Sequence, residues 1–225
     1  MKKSKIKTLF VFTVCFCLVI SFMKINASSN IENSLFGKVI YIDAGHGGKD
    51  NGASVDNVLE DEINLKISEY LLETLMLHGA YVLVSRTNDY DLASFYDSNR
   101  KRNDLNKRVK YINKSKPDIF VSIHLNTYSS ESVEGAQVFY QNNDKSKSLA
   151  NFIQDELNVF SFKKRNVKFG DYFILNNTNE TGVLIECGFL SNNEERRKLS
   201  TNEHQINLAN KIKVGIIKYF DSFNI

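Results

Sequence analysis

The chain has 225 residues, is 42% hydrophobic and 24% charged, and carries a formal net charge of +3. Its length and balance suit one globular domain with a sizeable core and exclude a disordered chain, since apolar runs recur throughout and Pro117 is the single proline. The positive charge belongs to the N-terminal segment: residues 1–27 hold five lysines and no acid, so the remainder carries −2, and no nucleic-acid partner is expected.

MKKSKIKT is followed by a 15-residue apolar run from Leu9 to Met23 and then by KINASSN. This pattern predicts an export signal with a small-residue cleavage point after Ala27. The run is short for a membrane span, which needs about 20 residues. An uncleaved N-terminal anchor is the alternative, because Ile25 is poorly suited to its position two residues before Ala27. Cys15 and Cys17 lie in this run without a convincing lipobox. Cys187 is then the one cysteine of the exported part, which must hold together without an internal disulfide.

Residues 28–37 read as a short polar leader, and 38–225 as the domain. Lys38–Asp43 is a predicted strand, followed by a glycine-rich loop to about Leu59. Apolar residues at Ile63, Leu65, Ile67, Leu71, Leu72, Leu75 and Met76 predict a helix, with acids in its first turn and Gly79 just past its end. AYVLVSR (80–86) is a strand, DLASFYDSNRKRND is irregular, and Leu105, Val109 and Ile112 mark a helix that stops before Pro117. DIFVSIHLN (118–126) is apolar on both faces, as in a strand covered on both sides. GAQVFYQ is a strand, SLANFIQDELNVF a helix, DYFIL and GVLIECGF two more strands, and HQINLANKIKVGIIKYF a closing helix. Alternating strands and helices predict a single α/β domain: a mostly parallel, twisted sheet with helices on both faces.

Three apolar strands run into residues of catalytic or metal-ligating type: VIYID into His46, FVSI into His124, and GVLI into Glu186. In open α/β sheets the ligand crevice lies beyond the carboxyl ends of the strands, so the three can converge. The glycines around His46, Gly47 and Gly48 among them, are expected to leave space before the imidazole. Asn126, two residues past His124, is expected on the same side of a continuing strand. Glu186 sits inside VLIECGF, where a charge must be paired or its pKa raised; a metal or a proton-transfer role would explain it. Cys187 should face the opposite way and read as core. Two histidines and a carboxylate form a common catalytic zinc set. LEDEINL offers Glu60, Asp61 and Glu62, acids that a helix N-terminus also accounts for.

Together, VIYIDAGHGGKDNGA, LEDEINL, DIFVSIHLN and VLIECGFLSN resemble the zinc-dependent N-acetylmuramoyl-L-alanine amidases of the Amidase_3 type, in that family's order. DLNKRVKYIN and EGAQVFY look like its spore-cortex, germination-specific (CwlD-type) subgroup. By this resemblance His46, Glu60 and His124 match the ligands of one zinc ion per chain, Glu60 being the acid four residues before Asn64, and Glu186 matches the catalytic glutamate. Asn126, Gly47 and Gly48 would touch substrate. The resemblance implies a peptidoglycan hydrolase that cuts between N-acetylmuramic acid and the L-alanine of the stem peptide, in spore cortex, where muramic-δ-lactam forms. It implies an exported enzyme, in the wall or between the forespore membranes, acting on glycan strands with stem peptides and open to an accessory or regulatory protein. Ala44 and Gly182 stand where proline is frequent, and no wall-binding repeat is visible, so wall targeting would come from the groove, the export segment or a partner. The rivals are a zinc peptidase acting on stem peptides and a non-catalytic wall-binding regulator on the same fold.

Overall fold

The computed structural model describes residues 34–161 and 163–223, so the export segment and most of the leader lie outside the described residues. The chain runs β1 (Val39–Ala44), β2 (Ser54–Val55), β3 (Val58–Leu59), α1 (Glu60–Leu77), β4 (Tyr81–Val84), α2 (Arg100–Ser115) and β5 (Ile119–Asn126). It continues β6 (Gln137–Tyr140), α3 (Asp144–Phe160), β7 (Lys168–Phe169), α4 (Phe173–Asn177), β8 (Gly182–Phe189), α5 (Asn193–Leu199) and α6 (Asn202–Asp221). Six strands form one sheet in the order β4-β1-β5-β8-β6-β7, in which only the β6–β8 pairing is antiparallel. The packed part begins ahead of Lys38, since Leu35 is fully buried and its N–H donates to the His78 carbonyl at 3.0 Å.

The unbroken apolar runs of β1, β5 and β8 follow from burial on both faces. Ile40, Ile42, Val121, Ile123, Val183 and Ile185 pack into one cluster with residues of α1, α3 and α6. Alternate residues Tyr41, Phe120 and Leu184 pack on the other face with Ile112 of α2 and Ile174 and Leu175 of α4. A strand sends successive side chains to opposite faces, so a sheet sandwiched between helices needs apolar residues at every position. Cys187 belongs to the first cluster, as alternation predicts. Gly182 lies against the Phe120 ring, where any added Cβ would overlap the aromatic carbons.

The helices end where local chemistry stops them. The Asn99 side chain accepts from the Arg102 N–H at 3.2 Å to cap α2, and Lys116, left-handed at φ 47°, closes it ahead of Pro117. Two of the expected elements differ: Arg100–Asp104, read as irregular, already belong to α2, and DYFIL departs further. DYFIL is not a strand: Phe173–Asn177 is the short helix α4. Ile174 and Leu175 are adjacent yet both buried in the same cluster, which a strand's alternation forbids and a helical turn allows. Thr178 Oγ1 donates to the Ile174 carbonyl at 2.6 Å and Asn177 Nδ2 to the Phe173 carbonyl at 2.8 Å, holding that turn. No helix among the described residues is long and apolar enough to cross a membrane.

Candidate metal centre

β1, β5 and β8 are parallel neighbours, so their carboxyl ends lie side by side. His124 in β5 pairs in register with Glu186 in β8, and His46 follows β1 by two residues. Glu60, the first residue of α1, reaches both histidines: its Oε1 lies 3.3 Å from His46 Nε2 and 3.0 Å from His124 Nδ1. The imidazoles stand edge to face with centroids 5.0 Å apart. One ligating atom from each of the three residues falls within 4.8 Å of the others. Of the three acids in LEDEINL, only Glu60 joins this cluster; Glu62 is exposed, and Asp61 turns its backbone carbonyl to Arg86.

The Glu60 carboxylate is 4% exposed and held by several donors. Ala53 N–H donates to Oε2 at 2.8 Å, and Leu125 N–H to Oε1 at 3.1 Å. Burial alone would raise its pKa, but bonds and charge from His124 and His46 prevail and hold it far below the usual carboxylate range. For His46, burial opposes the charged form, yet Glu60 and then Asp50 outweigh it and push the imidazole up to about 9. Asp50 Oδ2 sits 3.0 Å from His46 Nδ1, leaving Nε2 turned to the cluster centre. A carboxylate behind a ligating histidine fixes its ring and raises its basicity. Asp50→Ala is expected to lower metal affinity by about 10–100-fold, measured by chelator competition.

His46 itself is left-handed, at φ 60°, a conformation unusual for a residue with a side chain. Two buried arginines hold the loop there. Arg108 donates to the carbonyls of Ala44 and His46, each at 2.6 Å, and Arg86 to those of Ala44 at 3.1 Å and Gly45 at 3.0 Å. Arg108 also pairs with Asp43 and Asp104, each at 2.7 Å. Burial would raise the Asp43 pKa, but Arg108 and a hydrogen bond from Ser122 bring it below its ordinary value. Because that folded pKa is depressed, the contribution to stability is full above about pH 4 and is lost as pH falls through the folded value. Arg108→Met strands the Asp43 charge and should cost about 3–5 kcal/mol in urea unfolding, with part recovered in Asp43→Asn/Arg108→Met.

The glycines of the loop take a different role from the one expected. A Cβ on Gly47 would come within 2.6 Å of the Tyr90 carbonyl, and one on Gly48 within 2.7 Å of the Asp91 nitrogen. The space they leave is filled by residues 90–91 rather than open before the imidazole. Gly45 and Gly52 are the glycines pressed against the site, Gly45 against the His124 ring and Gly52 against the Glu60 carboxylate. The irregularity after His124 adds its extra residue to β8, where Glu186 and Phe189 are the partners of His124 and Asn126, so alternation continues along β5: Ile123 and Leu125 face the core, His124 and Asn126 share the other side, and Asn126 Oδ1 accepts from the Thr127 N–H at 2.8 Å.

Glu186 is 6% exposed, and one of its carboxylate oxygens, Oε2, has no hydrogen-bond partner among the described residues. Tyr172 Oη donates to the other oxygen at 3.4 Å, a long contact. Burial, opposed chiefly by His124, pushes Glu186 up to about 7. An orphaned carboxylate oxygen beside a two-histidine, one-carboxylate donor set fits a metal centre with a base at its flank. Asp50, Arg86, Arg108 and Tyr172 were not singled out in the sequence. Only Arg108 left a trace there, in the helical spacing Asp104, Arg108, Ile112.

Residues 40–218 match the Amidase_3 family, described as N-acetylmuramoyl-L-alanine amidase. The chain is 38% identical over 192 residues to the germination-specific N-acetylmuramoyl-L-alanine amidase of Bacillus subtilis, covering 83% of this chain and 81% of that protein. The CwlD amidase of Clostridioides difficile, solved in complex with the GerS lipoprotein, superposes with a TM-score of 0.80 at 37% identity, over 83% of this chain and all of that one. The catalytic domain of CwlV from Bacillus (Paenibacillus) polymyxa gives 0.72 at 31% identity, over 82% and 98%. Sequence and architecture agree across nearly the whole described domain, and the chain belongs to the Amidase_3 family of N-acetylmuramoyl-L-alanine amidases.

Proposed function

We propose that this amidase is zinc-dependent and acts on spore-cortex peptidoglycan, with His46, Glu60 and His124 holding one zinc ion and Glu186 moving the proton. The observation that carries this reading is the meeting of those three side chains next to the unpartnered Glu186 oxygen. A zinc ion there supplies Lewis acidity toward the scissile carbonyl and acidifies a water molecule. Glu186 accepts a proton from the attacking water. The water oxygen bonds to the lactyl carbonyl carbon, the C–N bond breaks, and Glu186 returns the proton to the departing L-alanine nitrogen. The products are a peptide-free muramic acid and a stem peptide with a new amino terminus. Glu60, gripped by backbone N–H groups, gives the centre a fixed negative anchor.

Residues 1–27 serve as the export segment and 38–225 as the catalytic domain, which places the enzyme outside the cytoplasmic membrane. The germination-specific name of the B. subtilis relative supports the cortex assignment, and the lipoprotein-bound C. difficile structure supports an accessory protein for this chain. Metal analysis of the purified protein, joined to mass spectrometry of digested peptidoglycan, tests the chemistry. A peptidase would leave L-alanine on muramic acid. A deletion strain without a second amidase should lose cortex muramic-δ-lactam, because the lactam forms only on a sugar freed of its peptide; normal lactam would contradict the cortex role.

A further inference from the structure

A groove of about 250 Å³ opens between the GHGG loop and the N-terminal end of α2, lined by Lys49, Asp50, Asp91, Arg100, Lys101 and Asp104. Its acids are already engaged. Asp50 holds His46, Asp91 pairs with Arg100, and Asp104 pairs with Arg108 and accepts from the Leu92 N–H at 2.7 Å. Arg100 is spent on Asp91 and the Ser94 carbonyl. Lys49 is exposed and has no ion pair or hydrogen bond among the described residues, and Lys101, 70% exposed, meets only Asp50 at 4.0 Å. The groove thus presents one ammonium with no partner among the described residues, Lys49, and a second, Lys101, whose one contact is long, and it begins at Asp50, which is bonded to the candidate ligand His46.

Resting on the amidase reading above, we infer that this groove receives the stem peptide and that Lys49 and Lys101 recognise the free α-carboxylate of its second residue, D-glutamate. The glycan of N-acetylated sugars is uncharged once its lactyl groups are amide-linked, so the two exposed lysines suit the peptide, which carries the carboxylates. An extended residue spans about 3.5 Å, which puts the second residue about 7 Å from the scissile carbonyl, and Lys49 follows the candidate ligand His46 by three residues. The same peptide with that carboxylate amidated, D-isoglutamine, offers no charge. The lysines are therefore specificity-determining: they separate the acid from the amide.

The test uses matched tetrasaccharide fragments whose stems are L-Ala–D-Glu or L-Ala–D-isoGln. For the full wild-type chain in low salt, kcat/KM is expected to favour the acid by about three- to tenfold, as two exposed ion pairs allow. The ratio should fall toward one in Lys49→Ala/Lys101→Ala and in high salt, since exposed pairs are screened. Equal values for the two substrates in wild type, or an undiminished ratio in the double variant, would overturn the assignment. Dissociation constants for both fragments in Glu186→Gln, which is expected to bind them while turning them over slowly, should show the same ratio. If the wild type cleaves neither fragment, the amidase reading fails, and the ratio of dissociation constants still judges the groove.

Discussion

Glu186→Gln should lose at least about a hundredfold in turnover while keeping its metal content and its thermal stability near wild type, because general acid–base assistance is worth about 10²–10⁴-fold. The substitution keeps shape and hydrogen-bonding reach and removes the basic oxygen that now lacks a partner. The pH profile separates this role from a structural one. Burial holds the carboxyl up to about 7 in the metal-free chain, and a divalent cation at the neighbouring donors pulls it down. Turnover requires the ionised form, so the rate should rise with pH through a limb lying below 7, and that limb should vanish in the Gln variant. Loss of zinc from this variant would make Glu186 a ligand; retention of both zinc and most turnover would leave the reaction without its base.

His46→Ala, Glu60→Ala and His124→Ala should each abolish stoichiometric zinc binding and, with it, turnover. Three protein donors are the usual complement of a catalytic zinc site, so losing one should weaken affinity beyond the 10–100-fold cost of losing an outer partner. Adding zinc should raise the melting temperature of the wild type by mass action and leave these variants unmoved. Glu62→Ala is the control, since Glu62 is exposed on the same turn of α1. A Glu62 variant that lost metal while the Glu60 variant kept it would shift the assignment within LEDEINL.

The strand ends were legible because a sheet covered on both faces writes unbroken apolar runs, and a polar residue terminating such a run stands out. His46, His124 and Glu186 were readable for that reason, and β1, β5 and β8 are indeed neighbours in the sheet. Glu60 was not separable from Asp61 and Glu62 by charge alone; only the resemblance chose it, and the fold then brought its carboxylate to both histidines. Arg86 and Arg108 were hidden because arginines near polar loops read as solvated, and the carbonyls they hold belong to a loop distant in sequence. DYFIL misled because β-prone residues carry no sign of whether a neighbouring strand is within reach. Gly47 and Gly48 misled in a subtler way, since a missing Cβ can make room for a ligand or for another stretch of backbone.

The order of the strands in the sheet differs from their order along the chain, and this sets when the enzyme can become active during synthesis. His46, Glu60 and His124 have all been made once β5 is complete, whereas β8, which carries Glu186, lies between β5 and β6 and is translated after both. Until β8 inserts, β5 has an edge of unpaired backbone N–H and C=O groups between two apolar faces, and the growing chain holds the proposed metal donors without the proposed base. An open edge of this kind invites pairing with other chains. A nascent or truncated form ending before Gly182 would therefore be catalytically silent and prone to aggregate, and arrival of one late strand would end both conditions together.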